Sequence, residues 1–182
     1  MNIILLRHGV VDIKEDKPLD SQEFKKWVLE YDSCSIKNED YIKPDIFALP
    51  QYIVCSSLKR TKETIEMFGE KVAYSDALFN EAKIPTPEWR GLRLKPKVWL
   101  VMLRITWLFG YTKNCESYDQ ARQRAKKATI KLIELAQKHD NILLCGHGVF
   151  NRLIRKELLV ENWKLIKKST SKNLDYDCLE YV

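Results

Sequence analysis

The sequence lacks paired cysteines and long apolar runs, and both absences narrow the class of protein. Its five cysteines lie far apart and none belongs to a C-x-x-C pair, so we expect reduced, buried thiols in a cytoplasmic protein. The longest apolar segment, residues 98–111, is interrupted by Arg104 and is shorter than the roughly 20 residues that cross a bilayer. The first apolar run is too short for a signal peptide. We therefore expect no stable membrane insertion.

Internal repeats, low-complexity tracts and domain linkers are also missing from the chain. Of its 182 residues, 45% are apolar and 10% aromatic, which is enough to build one core without metal or disulfides. The sequence predicts a single domain that spans residues 1–182. The oligomeric state stays open between a monomer and a homodimer.

Signatures of nucleic-acid binding are absent although the composition is basic. Lysine and arginine total 31 against 25 acidic residues, which gives a net charge of +6 and favours an anionic partner. No zinc finger, helix-turn-helix or basic run with interleaved aromatics occurs, so we expect no nucleic acid as a partner. The composition therefore favours an anionic small molecule.

Short apolar runs alternate with amphipathic segments along the chain. The apolar runs predict strands at 3–6, 51–55, 71–74, 141–145 and 176–181. Helical spacing and capping residues predict helices at 20–31, 58–68, 97–109, 116–139 and 149–159. This alternation favours a three-layer α/β/α sandwich whose central sheet is mostly parallel with one antiparallel edge strand. Residues 81–112 are predicted to form a specificity or lid insertion.

Two histidines each end an apolar run, and each precedes a glycine. His8 follows residues 3–7, and His147 follows residues 142–146. Because ligands in open α/β sheets bind beyond the carboxyl ends of the strands, neighbouring strands would bring both rings to one site. A neutral histidine can attack phosphorus when a hydrogen bond holds its other ring nitrogen. Gly9 would allow close approach of the backbone to a phosphate.

Arginines accompany this pair of histidines. Arg7 precedes His8 and offers a permanent, fork-shaped cation suited to phosphate. Arg60 falls in the first turn of a predicted helix, where free amides and the helix dipole also favour anions. A structural alternative stays open at this point, in which His8 packs in the core, Ser57 caps the helix and Arg60 is a solvated side chain.

Four elements occur in order along the chain: Leu6-Arg7-His8-Gly9, the run SSLKRTKET at 56–64, Glu81, and Gly146-His147-Gly148. Together they resemble the histidine phosphatase superfamily, also called phosphoglycerate-mutase-like, in its small phosphatase-type branch. Their order and spacing agree with the family along most of the chain. The resemblance implies a phosphoric monoester hydrolase with the sandwich fold described above.

The resemblance also implies metal-independent phosphoryl transfer through a phosphohistidine, with no cofactor. His8 would attack phosphorus in line. The equatorial oxygens would be held by Arg7, Arg60 and His147, because transition-state charge is spread over them. Glu81 would protonate the leaving oxygen and then activate water. The expected substrate is a small phosphorylated metabolite.

Two glutamates compete for the role of the general acid, and the sequence departs from the family after its first motif. Glu81 and Glu88 lie in the same loop, and either could be a solvated carboxylate. Residues 10–12 (VVD) stand where mutases and many relatives carry a hydroxyl and, soon after, an asparagine, which favours hydrolysis over mutase activity. The alternatives are a phosphoglycerate-type mutase, a phosphohistidine-protein phosphatase and a non-catalytic phospholigand-binding module.

Three residues outside the motifs are candidates for substrate binding. Asn151 lies four positions after His147, so it could face the site or simply occupy a first helical turn. Trp89 and Arg93 belong to the 81–112 segment, where they could cover and bind a second anionic group of the substrate. The alternative for that segment is a solvated basic loop.

Overall fold

Six strands form one sheet in the computed structural model of the chain, which describes residues 1–14, 16–39, 41–48, 51–170 and 172–181. The strands are β1 (Asn2–Arg7), β2 (Tyr52–Ser56), β3 (Tyr74–Asp76), β4 (Asn141–Gly146), β5 (Trp163–Lys167) and β6 (Tyr176–Tyr181). Their order is β3-β2-β4-β1-β6-β5. The first four are parallel, and β6 runs antiparallel to β1. The predicted fold class is confirmed.

Helices cover both faces of this sheet. They are α1 (Ser21–Ser33), α2 (Lys59–Met67), α3 (Pro96–Leu108), α4 (Tyr118–His139) and α5 (Gly148–Val160). Capping boxes on Asp20 and Ser117 start α1 and α4, as the sequence around them predicts. Leu58 and His147 precede α2 and α5, and neither caps its helix with its own side chain. The first-turn N–H groups of these two helices are therefore available to acceptors from elsewhere in the fold.

Alternate residues of β1 pack into opposite layers. Ile3 and Leu5 belong to the larger core, which includes residues of α4 and α5. Ile4 and Leu6 belong to a second core that includes Ile65 of α2. Because both faces of β1 are covered, its sequence is a continuous apolar run rather than an alternating one.

The edge strand β5 was not predicted from the sequence. It pairs antiparallel with β6, so the antiparallel β6 lies one strand inside the edge. Trp163 is buried, whereas Lys164 and Lys167 are exposed. Lysines on an edge strand discourage pairing with other chains, and they also interrupt the apolar pattern by which strands are predicted.

The segment 81–112 ends in α3, which packs against α1. Trp99 of α3 stacks on Phe24 of α1 with 5.4 Å between ring centroids. The opposite face of α3 is exposed to solvent, with Val101 62% and Leu108 55% exposed. None of the described helices is long and apolar enough to cross a membrane. The role of this segment as a specificity or lid insertion stays a prediction.

Candidate active site

The two histidines meet at the carboxyl ends of β1 and β4. These strands are neighbours with Arg7 opposite Gly146, and the backbone N–H of His8 donates to the Gly146 carbonyl over 3.1 Å. The ring centroids of His8 and His147 are 5.1 Å apart, with 60° between the ring planes. Both side chains are buried. The convergence predicted from the two strand ends is therefore present in the fold.

The ring of His8 is held in one tautomer. Its Nδ1 lies 2.7 Å from the carbonyl oxygen of Gly9, and because a carbonyl only accepts, Nδ1 carries the proton. Burial lowers the pKa of His8 to about 3, and the charges of Arg60 and Arg7 contribute in the same direction. A neutral ring with its proton on Nδ1 has its lone pair on Nε2, which is the state that a nucleophile requires.

The backbone around His8 is fixed from two sides. Asn173, in the turn before β6, donates from Nδ2 to the carbonyls of His8 (2.8 Å) and Gly9 (3.1 Å). The Gly9 N–H donates to Thr64 Oγ1 over 2.9 Å. This amide is thus engaged within the protein, and the phosphate contact expected of Gly9 does not come from it. This role of Asn173 could not be predicted from local sequence, because the residue lies 165 positions from His8 and 164 from Gly9.

Two guanidinium groups lie beside the histidines. Arg60, in the first turn of α2, is almost fully buried, and its Nη1 donates to Asp32 Oδ1 over 3.0 Å. The Nε of Arg60 is enclosed and has no hydrogen-bond partner among the described residues. Arg7 packs over Gly148. A Cβ added to this glycine would lie 3.4 Å from Arg7 Nε. The burial of Arg60 excludes the alternative in which this residue is a solvated side chain.

His147 is also neutral and enclosed. Burial holds its pKa well below the usual range, helped by His8 and by Arg60, Arg7 and Arg124. Its Nε2 lies 2.8 Å from Ser56 Oγ. Its Nδ1 has no hydrogen-bond partner in the part of the chain that the structure describes.

Asn151 joins the two central strands rather than facing the substrate side. Its Oδ1 accepts the His147 backbone N–H over 3.3 Å, and its Nδ2 donates to the Leu6 carbonyl over 3.0 Å. A Cβ on Gly146 would collide with Asn151 Oδ1, so the strand end requires glycine there. Both ends of the Asn151 amide are thus bound to backbone groups, and its role in substrate binding stays a prediction.

Glu81 is placed next to His147, and Glu88 is not. The Glu81 carboxylate accepts the backbone N–H groups of Val149 (3.1 Å) and Phe150 (2.8 Å), in the first turn of α5. The side chain of Glu88 is 58% exposed and lies 3.6 Å from Lys113. The structure thus distinguishes the two carboxylates by location, although both belong to one loop.

Two arginines hold the backbone on either side of Glu81. Arg124 of α4 donates from Nη1 to the carbonyls of Leu78 (2.9 Å) and Asn80 (2.8 Å), and its other nitrogens pair with Glu116. Arg104 of α3 donates to the Ala82 carbonyl over 2.9 Å. Neither residue was predicted to belong to the site, because backbone carbonyls, which both of them bind, produce no sequence motif.

Trp89 and Arg93 are engaged away from the histidine pair. Arg93 forms ion pairs with Asp20 (3.4 Å) and Glu23 (2.9 Å) at the start of α1, which compensates its charge. Trp89 packs against Trp99, with 6.0 Å between ring centroids. A cavity of about 510 Å³ lies here, lined by Asp20, Ser21, Gln22, Glu88, Trp89, Arg90 and Gly91. The structure does not bring these two residues into contact with His8 or His147.

The described residues contain no group of three or more histidine, cysteine or acidic side chains that could hold a metal ion.

Residues 48–181 match the sequence profile of the histidine phosphatase superfamily (branch 1). The chain belongs to this superfamily. The matched stretch includes Arg60, Glu81 and His147, whereas Arg7 and His8 precede it. These two residues are tied to the rest of the histidine phosphatase site by the register of β1 against β4.

Solved structures share the fold at low sequence identity. A Mycobacterium tuberculosis protein, Rv3214, is 19% identical, with 84% of this chain and 77% of that chain covered and a TM-score of 0.57. A mutant phosphoserine phosphatase from Entamoeba histolytica, in complex with phosphoserine, is 13% identical (97% and 89% covered, TM-score 0.55). The α-ribazole phosphatase of Shigella flexneri is 17% identical (87% and 79% covered, TM-score 0.51). No curated protein matches the sequence.

Proposed function

We propose that this histidine phosphatase hydrolyses phosphomonoesters of small metabolites through a phosphohistidine, without a metal ion. One observation carries the proposal. A neutral His8 with its lone pair on Nε2 lies beside enclosed nitrogens, Arg60 Nε and His147 Nδ1, that have no partner among the described residues. Buried polar groups without partners are rare in folded proteins, and a phosphoryl group supplies the oxygens that these nitrogens lack.

In the first step, His8 Nε2 attacks phosphorus and forms a P–N bond while the ester P–O bond breaks. The leaving oxygen takes a proton from Glu81. In the second step, the Glu81 carboxylate takes a proton from water, and the resulting hydroxide attacks phosphorus. The P–N bond breaks, its electron pair returns to Nε2, and inorganic phosphate leaves. Arg7, Arg60 and His147 stabilise the charge on the equatorial oxygens in both steps.

The names of two structural neighbours agree with this reaction class. One is a phosphoserine phosphatase and the other an α-ribazole phosphatase, and both names describe hydrolysis of a phosphate ester. At 13–17% identity this similarity supports the class of reaction only, so the substrate is proposed no more narrowly than a small phosphomonoester.

Phosphate release from an aryl phosphate and a panel of metabolite phosphomonoesters tests the proposal, with a chelator present throughout. We expect release that persists with the chelator and disappears in His8→Ala. The matched control is His139→Ala, because His139 stacks on Tyr52 at the opposite end of β2. Release that survives in His8→Ala would exclude His8 as the nucleophile. Isomerised substrate without free phosphate would indicate a mutase instead.

A further inference from the structure

Ser56, the last residue of β2, is fully buried and lies at the centre of a small hydrogen-bond network. Its Oγ is 2.8 Å from His147 Nε2 and 3.1 Å from Thr61 Oγ1. It also accepts the backbone N–H of Leu58 over 3.2 Å. The network therefore links one ring nitrogen of His147 to groups outside the catalytic set.

The protons in this network can be assigned by counting donors and acceptors. The Thr61 hydroxyl lies 2.8 Å from the Leu58 carbonyl and 3.1 Å from the Ser56 carbonyl. Because carbonyls only accept, the single Thr61 proton is used there. The Ser56 hydroxyl proton then has two possible acceptors, His147 Nε2 and Thr61 Oγ1, and His147 Nε2 is the nearer.

The choice between these acceptors decides the state of His147. If Ser56 donates to Nε2, the neutral ring carries its proton on Nδ1. If His147 donates to Ser56 instead, Nδ1 presents a lone pair. The enclosed Nδ1, which has no partner among the described residues, would bind a phosphoryl oxygen in the first case and repel it in the second.

We propose that Ser56 is a positioning residue that donates its hydroxyl proton to His147 Nε2 and thereby keeps a proton on Nδ1 for the phosphoryl oxygen. The assignment of the tautomer stands on the hydrogen-bond network alone, whereas its use by a phosphoryl oxygen rests on the proposed function. Thr61 is the matched comparison, because it contacts the same hydroxyl without contacting His147.

Nitrogen-15 NMR of the full chain labelled at histidine tests the assignment directly, since long-range proton couplings distinguish the two tautomers of each ring. Spectra are recorded with and without inorganic phosphate for the wild type, Ser56→Ala and Thr61→Val. We expect the Nδ1–H tautomer of His147 in the wild type and in Thr61→Val, and loss of this single tautomer in Ser56→Ala. An Nε2–H tautomer in the wild type, or an unchanged one in Ser56→Ala, would overturn the proposal.

Kinetics supply the second measurement. Ser56→Ala should lower kcat/KM about tenfold, a part of the roughly 10²–10³-fold effect of removing a whole preorganised donor. Thr61→Val should stay within about twofold of the wild type, and Ser56→Thr should recover most of the loss because it keeps the hydroxyl. Loss in both Ser56→Ala and Thr61→Val would show a packing effect and overturn the proposal. A wild type that releases no phosphate would refute the proposed function and leave the NMR result to decide the tautomer.

Discussion

At the residue scale, His8 and His147 have similar surroundings but different hydrogen bonds. Both are buried near Arg60 and Arg7, and both have a lowered pKa. His8 binds a carbonyl through Nδ1, which leaves a lone pair on Nε2 for attack. His147 binds a hydroxyl through Nε2, and its Nδ1 remains to contact an oxygen. In the proposed mechanism, the hydrogen-bond partner of each ring, rather than its burial, separates the nucleophile from the phosphate-binding group.

Glu81→Gln, compared with Glu88→Gln, tests the identity of the general acid. The amide keeps the shape of the side chain but cannot give up a proton, so we expect Glu81→Gln to lower kcat/KM for alkyl phosphates about 10²-fold or more. Glu88→Gln should leave kcat/KM within about twofold of the wild type, because the exposed Glu88–Lys113 ion pair contributes little to the stability of the loop. The effect should shrink for aryl phosphates, whose leaving oxygen needs less protonation. Equal activity of Glu81→Gln and wild type would refute the assignment.

At the scale of secondary-structure elements, two helices, α4 and α5, hold the loop that carries Glu81. α4 contributes Arg124, whose side chain holds two carbonyls of the loop before Glu81. α5 contributes the first-turn amides that bind the Glu81 carboxylate. The strand ends carry His8 and His147, so Glu81 and the two histidines are positioned by different layers of the sandwich.

Arg124→Met should therefore affect catalysis more than binding. Without its hydrogen bonds, the loop at 78–80 loses two anchors, and misplacement of Glu81 should lower kcat about ten- to a hundredfold. Both constants are measured with an alkyl phosphate, whose leaving oxygen needs the proton of Glu81, and its KM should change little because Arg7 and Arg60 are untouched. Arg122→Met is the control, since Arg122 is on the same helix and its ion pair among the described residues is a long 3.7 Å contact with Glu157. A rise in KM with constant kcat would contradict this role for Arg124.

At the scale of the whole molecule, burial of neutral histidines links the stability of the fold to pH. The pKa of His8 is about 3 in the folded protein, below its value in an unfolded chain of about 6.5. Between these values the unfolded state binds more protons, so stability increases as pH rises. His147, whose pKa is lowered as well, adds to the same trend.

Urea unfolding measured from pH 4 to pH 7 tests this linkage. His8 should contribute about 1.4 kcal/mol of unfolding free energy per pH unit within the window, and His147 should add to it in the same direction, so stability should fall as the solution becomes acidic. His8→Asn should have a smaller slope than the wild type, because it removes one of the two buried neutral histidines. Parallel slopes for wild type and His8→Asn would show that His8 is not buried in its neutral form.

Local sequence patterns predict much of the position of the site. Continuous apolar runs predicted β1 and β4, and the rule that ligands bind beyond parallel strand ends predicted that His8 and His147 converge. Arg60 could be placed because a helix that leaves a strand directs its first turn toward that same edge. The edge strand β5 could not be predicted, because its exposed lysines remove the apolar signal.

The contacts of Asn151 and Arg93 could not be predicted from local sequence patterns. Sequence spacing placed Asn151 on the correct helix face, but only the packed fold binds its amide to the Leu6 carbonyl, 145 positions away. Arg93 has the right charge for an anion, yet α1 supplies two carboxylates that already pair with it.

Periodicity and composition along the chain determine which segments become strands and helices, and hence which side chains reach the ligand-binding edge of the sheet. Which of those side chains keep an unpaired atom depends on contacts between distant segments, such as Ser56 with His147 or Asp32 with Arg60. The physical reason is that secondary structure follows from neighbours a few residues apart, whereas a buried proton is placed by whichever acceptor the packing of the layers brings within about 3 Å.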